Sequence, residues 1–156
     1  MHYTIFKPNA KSTGGLGSFR VAQTKKGDDW VAQLFIELVP QSGWDAAKRV
    51  GSFDNSKKKC IMLNAGEAGE MINSINKRVE WKSFHKSGDT STQISFGPWE
   101  QTMVLSVNSD GKQNRIGATI GELECLKILL EHFIKTSLSL SAKNNDRKFK
   151  ESQDGK

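Results

Sequence analysis

Lys59-Cys60-Ile61-Met62-Leu63-Asn64-Ala65-Gly66-Glu67 passes from a strand-like run into a helix signal with no spacer. Arg115-Ile116-Gly117-Ala118-Thr119-Ile120-Gly121-Glu122 repeats the passage later in the chain. Several alternating strand-like segments precede each of them. A strands-then-helix unit used twice is a fold signature, and composition alone does not produce it. It predicts an α+β protein made of tandem ββββα modules. Their antiparallel sheets would carry helices packed in the core or at a dimer interface. A sheet-based binding protein fits this pattern better than an enzyme.

Working outward from the first stretch, Asn64 is placed to cap a helix, with Glu67 three residues on as in a capping box. Ala68, Met71, Ile72 and Ile75 follow at i, i+3, i+4 and i+7 and form its apolar face. Gly66 and Gly69 weaken the helix intrinsically, so packing must hold it. Upstream, Phe19 to Lys25 reads as a strand, Lys26-Gly27-Asp28-Asp29 as a turn, and Trp30 to Val39 as the strongest strand. Trp30, Ala32, Leu34, Ile36 and Leu38 alternate on one face, and Pro40 is expected to end the pairing. Trp44 to Arg49 is either a loop or a short helical turn, and Val50 to Phe53 a short strand. Residues 1–17, with Gly14, Gly15 and Gly17, read as a flexible lead.

The second half repeats the order. Strands are expected at Val79–Lys86, Ser91–Phe96, Thr102–Val107 and Arg115–Ile120, with turns at Ser87-Gly88-Asp89 and Asn108-Ser109-Asp110-Gly111. Gly97-Pro98 is expected to interrupt the second of them. A helix over 122–137 carries Leu123, Leu126, Leu130 and Phe133, widened by Cys125, Ile128, Leu129 and Ile134. This arc exceeds what one sheet requires. The helix should therefore touch its own sheet and also the other module or a second subunit, unless it lies in a deeper monomeric core. The expected domain is 18–138, with halves 18–77 and 78–138. A disordered basic tail, 139–156, follows.

The chain has 156 residues and a formal charge of +6, with a pI near 9.4. Such a balance favours an anionic partner, nucleic acid first, although surplus lysine is the plain alternative. Cys60 and Cys125 lie among apolar residues and are expected as buried free thiols in a reducing compartment. No signal-peptide pattern or membrane-length apolar run is present. The protein is expected to be soluble and intracellular, in a cytoplasm or a host cell's cytoplasm, with no membrane partner. His2, His85 and His132 share no ligand spacing with the cysteines. Glu67 and Glu70 have no evident third catalytic partner, and no nucleophile–base pair is recognisable. A non-catalytic protein without metal or cofactor is expected.

Positive charge gathers beside aromatic residues. Lys48, Arg49, Lys57, Lys58 and Lys59 flank Phe53. Lys82 and Lys86 flank Phe84, with Lys77 and Arg78 close by, and Arg20, Lys25 and Lys26 mark the first hairpin. Cations that track a backbone, interleaved with ring faces that stack on exposed bases, suit single-stranded nucleic acid. Trp30 and Trp81 fall on apolar faces and are expected in the core. Phe53, Phe84 and Trp99 are the candidates for exposure.

The stretch Lys58-Lys59-Cys60-Ile61-Met62-Leu63-Asn64-Ala65-Gly66-Glu67 resembles the transcriptional coactivator family called positive cofactor four. In that family a basic pair precedes a strand ending in Leu-Asn, and a helix with an early acid follows. Phe19-Arg20-Val21, Lys25-Lys26-Gly27 and the strand Trp30–Val39 fall where that family has its first hairpin. Two such modules in one chain look like the related Whirly proteins. Both groups bind single-stranded DNA, and the coactivator family dimerises. The match covers roughly 18–76. It departs at the helix start, where the family's aromatic after the acid is missing. The small chain fits a bacteriophage member of such a family. The resemblance implies DNA contacts from Arg20, Lys25, Lys26, Lys48, Arg49, Phe53, Lys57, Lys58 and Lys59, and alternation adds Lys82, Phe84 and Lys86. The expected function is low-specificity single-stranded DNA binding in transcription, replication or recombination by a homo-oligomer, with a dimer favoured. RNA binding on the same sheet, or a protein adaptor using the helix face, are the alternatives.

Overall fold

A computed structural model describes residues 1–154 and has an α+β architecture of two antiparallel sheets and two helices. The chain runs β1 (His2–Lys7), β2 (Gly15–Lys26), β3 (Asp29–Asp45), β4 (Val50–Phe53), a 3-10 turn (Asn55–Lys57), β5 (Lys59–Leu63) and α1 (Ala65–Lys77). It continues with β6 (Trp81–Ser87), β7 (Thr90–Trp99), β8 (Thr102–Ser109), β9 (Lys112–Ala118) and α2 (Ile120–Asp154). The first sheet is ordered β1-β2-β3-β4, with β5 also on β3, and the second is ordered β6-β7-β8-β9.

At both strand-to-helix passages a glutamate reaches back to the residue before the helix, but only α1 has the full reciprocal box. Asn64 Oδ1 accepts from the Glu67 amide at 2.9 Å, and Glu67 Oε2 accepts from the Asn64 amide at 3.0 Å. At α2, Glu122 Oε2 accepts from the Thr119 amide at 2.8 Å and from its hydroxyl at 2.9 Å. Each cap answers helix-end donors that have no partner within the helix, and is worth about 1 kcal/mol.

The helices cross over between the halves. α1 packs on β6 and β7 of the second sheet, α2 packs on β1, β2 and β3 of the first, and the helices pack on each other. One continuous core results. It contains Phe19, Leu34, Ile36, Met71, Ile94, Phe96, Leu105, Leu126, Leu130 and Phe133. Burying each such side chain contributes about 1.5–3 kcal/mol. β9 lies against the first sheet. Gly17 admits it, because a Cβ there would sit 3.0 Å from Ile116 Cγ2. The buried Asn114 Nδ2 donates to Leu38 O at 2.9 Å and to Lys57 O at 2.8 Å, and so ties the two sheets.

Several expectations change. Residues 1–17 are not a flexible lead: β1 pairs with β2 from His2↔Arg20 to Lys7↔Gly15. The loop between these strands is knitted by the buried Gln41 side chain, which accepts from the amides of Asn9 and Gly14 and donates to Asn9 O and Gly43 O. Gly14 is needed there, since a Cβ would collide with Lys7 O at 1.9 Å. The first module therefore has five strands, not four. Pro40 does not end β3. It stays in register with Gly15, and its carbonyl accepts from the Asp54 amide on the opposite edge. Its missing N–H thus falls where β3 hands over from β5 to β4. Gly97 and Pro98 likewise remain within β7, opposite Val104 and Met103. Described residues of the expected tail 139–156 are helical through Asp154; Gly155 and Lys156 lie outside the described residues. Trp81 packs against the core as expected. Trp30, at an inward position but beyond the core at the hairpin end, is 48% exposed.

Candidate nucleic-acid interface

Strand alternation gives the first sheet an inner and an outer face. Leu34, Ile36 and Leu38 point into the core, so Gln33, Phe35 and Glu37 point outward. Arg20 is in register with Phe35, and its guanidinium lies 4.9 Å from the Phe35 ring centroid. Met62 of β5 stands on the other side of Phe35 and is half exposed. At the end of this face Phe6 meets Phe53, with ring centroids 5.1 Å apart and planes tilted by 43°. Leu16 and Val39 follow Phe6 in register across β2 and β3, while Phe53 pairs with Gln41, and Val39 is buried although it points outward. This open sheet face carries one exposed ring, Phe6, and two partly buried ones, Phe35 under the Arg20 cation and Phe53, which was expected to be exposed. Such a face is a surface on which unpaired bases can stack.

The basic residues anticipated from the sequence divide into several groups. Arg20, Phe53 and Lys58 belong to this outer face. Lys58 Nζ sits 3.1 Å from Glu37 Oε1, and Lys57 Nζ sits 3.1 Å from Asp54 Oδ2. Lys59 is no free cation. It turns to the opposite side, where its Nζ donates to Ser109 Oγ at 2.6 Å and Ser109 O at 3.2 Å, tying β5 to the β8–β9 hairpin. Lys25 and Lys26 are exposed at the β2–β3 hairpin. Lys48 and Arg49 are exposed on the β3–β4 turn, where Asp45 Oδ1 accepts from the Ala47 and Lys48 amides. The two pairs sit at opposite ends of β3, a strand path of roughly 50 Å, and cannot form one cluster.

The end of α2 reaches the Lys25–Lys26 hairpin. Asn144 Nδ2 donates to Trp30 O at 2.8 Å. Arg147 Nη2 and Lys148 Nζ reach the Asp29 carboxylate at 2.8 and 2.7 Å, and Arg147 also donates to Asp28 O. The hydrogen bond from Lys148, with the Arg147 charge, holds the Asp29 carboxyl below its ordinary range.

Lys82, Phe84 and Lys86 share the outer face of the second sheet, opposite Ser95, Gln93 and Ser91. Phe84 is 67% exposed, and Lys82 Nζ pairs with Glu80 at 3.1 Å. Trp99, 65% exposed, and Arg115 lie on the same face. Phe6, Phe35, Met62 and Arg115 are absent from the set expected from the sequence. Period-two counting from Arg20 across the β2–β3 turn could have found Phe35, whereas Phe6 was hidden in a segment read as a lead.

Neither cysteine is buried. Cys60 points outward on β5, and Cys125 lies on the exposed side of α2. Partial burial, with the Glu37 charge, pushes the Cys60 thiol up, against the opposing charges of Lys58 and Arg20.

Glu67 gathers a polar cluster from α1 and β6. Ser83 Oγ donates to its Oε1 at 2.6 Å, and His85 Nε2 contacts the same oxygen at 2.7 Å. Partial burial alone would raise this carboxyl, but the Ser83 and His85 hydrogen bonds outweigh it and hold it below its ordinary value. Ser83 and His85 both engage the acid and not each other, which is not the relay of a nucleophile and its base. Among the described residues no three His, Cys, Asp or Glu side chains are grouped to hold a metal ion, and no helix is long and apolar enough to cross a membrane. Comparison with known protein families found no family model that matches the chain, and comparison with curated proteins found no significant match.

Proposed function

We propose that this chain is a non-catalytic single-stranded DNA-binding protein that uses the outer face of its first sheet, with low sequence specificity. The observation that carries the reading is the Arg20 guanidinium over the Phe35 ring at 4.9 Å on an open sheet face, flanked by the Phe6–Phe53 pair. Partly exposed rings beside cations serve unpaired bases, whereas a duplex hides its base faces from them. The net charge of +6 favours a polyanion, and phosphate contacts position a strand without reading its sequence. The two sheet-and-helix modules and the Lys58–Glu67 stretch support kinship with the positive cofactor four and Whirly groups. A role in transcription, replication or recombination follows from that kinship.

Fluorescence anisotropy with one oligonucleotide, single-stranded and duplex, tests the reading. Single strands should bind more tightly, and log affinity should fall by about 0.7 per neutralised phosphate for each log unit of salt. Phe35→Ala should weaken binding by about 1–3 kcal/mol with little loss of stability. Tight binding insensitive to salt, or a preference for duplex, would defeat the proposal. Matched RNA in competition separates the RNA alternative.

A second reading rests on α2, where Ile128 and Leu138 are 58% and 63% exposed. A second copy packed on this face would give the dimer, and Ile128→Asp would abolish it in sedimentation experiments. Leu126 and Leu130 cannot serve that test, being 1% and 0% exposed: their replacement would unfold the chain.

A further inference from the structure

Gly117 stands in the middle of β9 with no reason in the fold to be glycine. Its φ lies outside the left-handed region, and a Cβ there would meet nothing closer than Thr102 Oγ1 and Val104 Cγ2, both at 3.9 Å. A glycine inside a strand weakens it, and where packing does not demand it, it marks a close approach by something else. Gly97 differs, because its Cβ would press on the Glu80 side chain at 3.1 Å. Gly97, Val104 and Gly117 lie in register across β7, β8 and β9; the Glu80 side chain lies over Gly97, so the low part of this row on the outer face of the second sheet is at Gly117, beside Val104. On one side of this row stands Trp99, opposite Thr102. On the other stand Ser95, Ser106 and Arg115, also in register. Rows of outward residues are about 7 Å apart along a strand. The low part of the row is thus the floor of a trough with a ring at one rim and a cation at the other. The β1–β2 loop closes one end, and the cleft measures about 800 Å³.

We infer that this trough is a binding site for an unpaired nucleobase and its phosphate, separate from the Arg20–Phe35 face. Trp99 supplies the stacking surface, the hydroxyls of Ser95, Ser106 and Thr102 meet base edges, and Arg115 takes the phosphate. Gly117 keeps the floor clear. The inference rests on the single-stranded reading above and adds a second place where the strand is gripped.

The test measures binding of a fluorescent oligothymidylate of about 16 nucleotides, and of an abasic strand of equal length, to wild type, Gly117→Val and Trp99→Ala. Valine suits a strand and its Cβ meets only ordinary contacts here, so Gly117→Val should melt no lower than wild type. Each variant should bind the oligothymidylate about ten-fold more weakly, with the salt slope and abasic-strand affinity unchanged. Wild-type affinity in both variants, with weakening in Phe35→Ala, would overturn the trough and leave the first-sheet proposal standing. Failure of the wild-type protein to bind either strand would overturn both.

Discussion

Glu67 divides its two carboxylate oxygens between the halves of the chain. Oε2 closes the capping box of α1, and Oε1 receives Ser83 and His85 from β6. Because the folded state holds this carboxyl below its ordinary value, its contribution to stability is complete above the unfolded value near 4.5. That contribution disappears as pH falls through the lower folded value. Glu67→Gln should cost about 1–2 kcal/mol near neutrality, and its deficit relative to wild type should shrink on the acid side. Urea midpoints across a pH series measure this; a deficit unaltered by acid would refute the linkage. The Asn64–Glu67 half of this arrangement is legible in the sequence, because a capping box is a contact between residues three apart. Ser83 and His85 are not, because they arrive through the packing of α1 on the second sheet. The same limit explains Lys59. Within Lys57-Lys58-Lys59 the three charges look equivalent, and only strand direction and the position of Ser109 separate the tie from its neighbours.

α2 shows the corresponding limit for elements. Its apolar periodicity ends near Ser137, and the sequence offers no local reason for Asn144 or Arg147 to be helical. The helix continues to Asp154 because Asn144, Arg147 and Lys148 find Trp30, Asp28 and Asp29 across the fold. β1 is similar, since its evidence is the register with β2 and the Gln41 bonds. The strands around Phe19, Trp30 and Ile94 needed no such help, because their alternation is complete within a few residues. The α2 extension is held by polar, largely exposed contacts, which salt screens. Asp29→Ala should therefore speed amide hydrogen exchange over 139–154 and leave exchange in 122–134 at the wild-type rate. About 1 M salt should act on wild type in the same direction. If exchange in the distal segment is as slow in Asp29→Ala as in wild type, the ion pairs do not hold it.

At the scale of the whole molecule, the crossed packing of the helices decides how the halves relate. A tandem repeat suggests two units that could each stand alone. Here α1 closes the second sheet and α2 closes the first, so a fragment ending at Lys77 keeps a helix whose buried face belongs elsewhere and loses the helix its own sheet requires. Ala68 and Met71, both fully buried in the intact chain, would be exposed in it. The 78–154 fragment would expose Leu126, Leu130 and Phe133. At about 1.5–3 kcal/mol for each large side chain returned to water, Leu126, Leu130 and Phe133 alone account for about 4.5–9 kcal/mol, which is comparable with the 5–15 kcal/mol that stabilises a typical domain. The intact chain should unfold in one cooperative step, with far-ultraviolet circular dichroism and tryptophan fluorescence giving coincident urea transitions. Trp30 and Trp44 in the first half and Trp81 and Trp99 in the second report on both sheets at once. Neither fragment should show a transition of its own, although mixing them could restore one. Two separated transitions in the intact chain, or a folded 1–77 fragment, would mean that each sheet keeps its own core and that the crossed helices are a docking contact between independent halves.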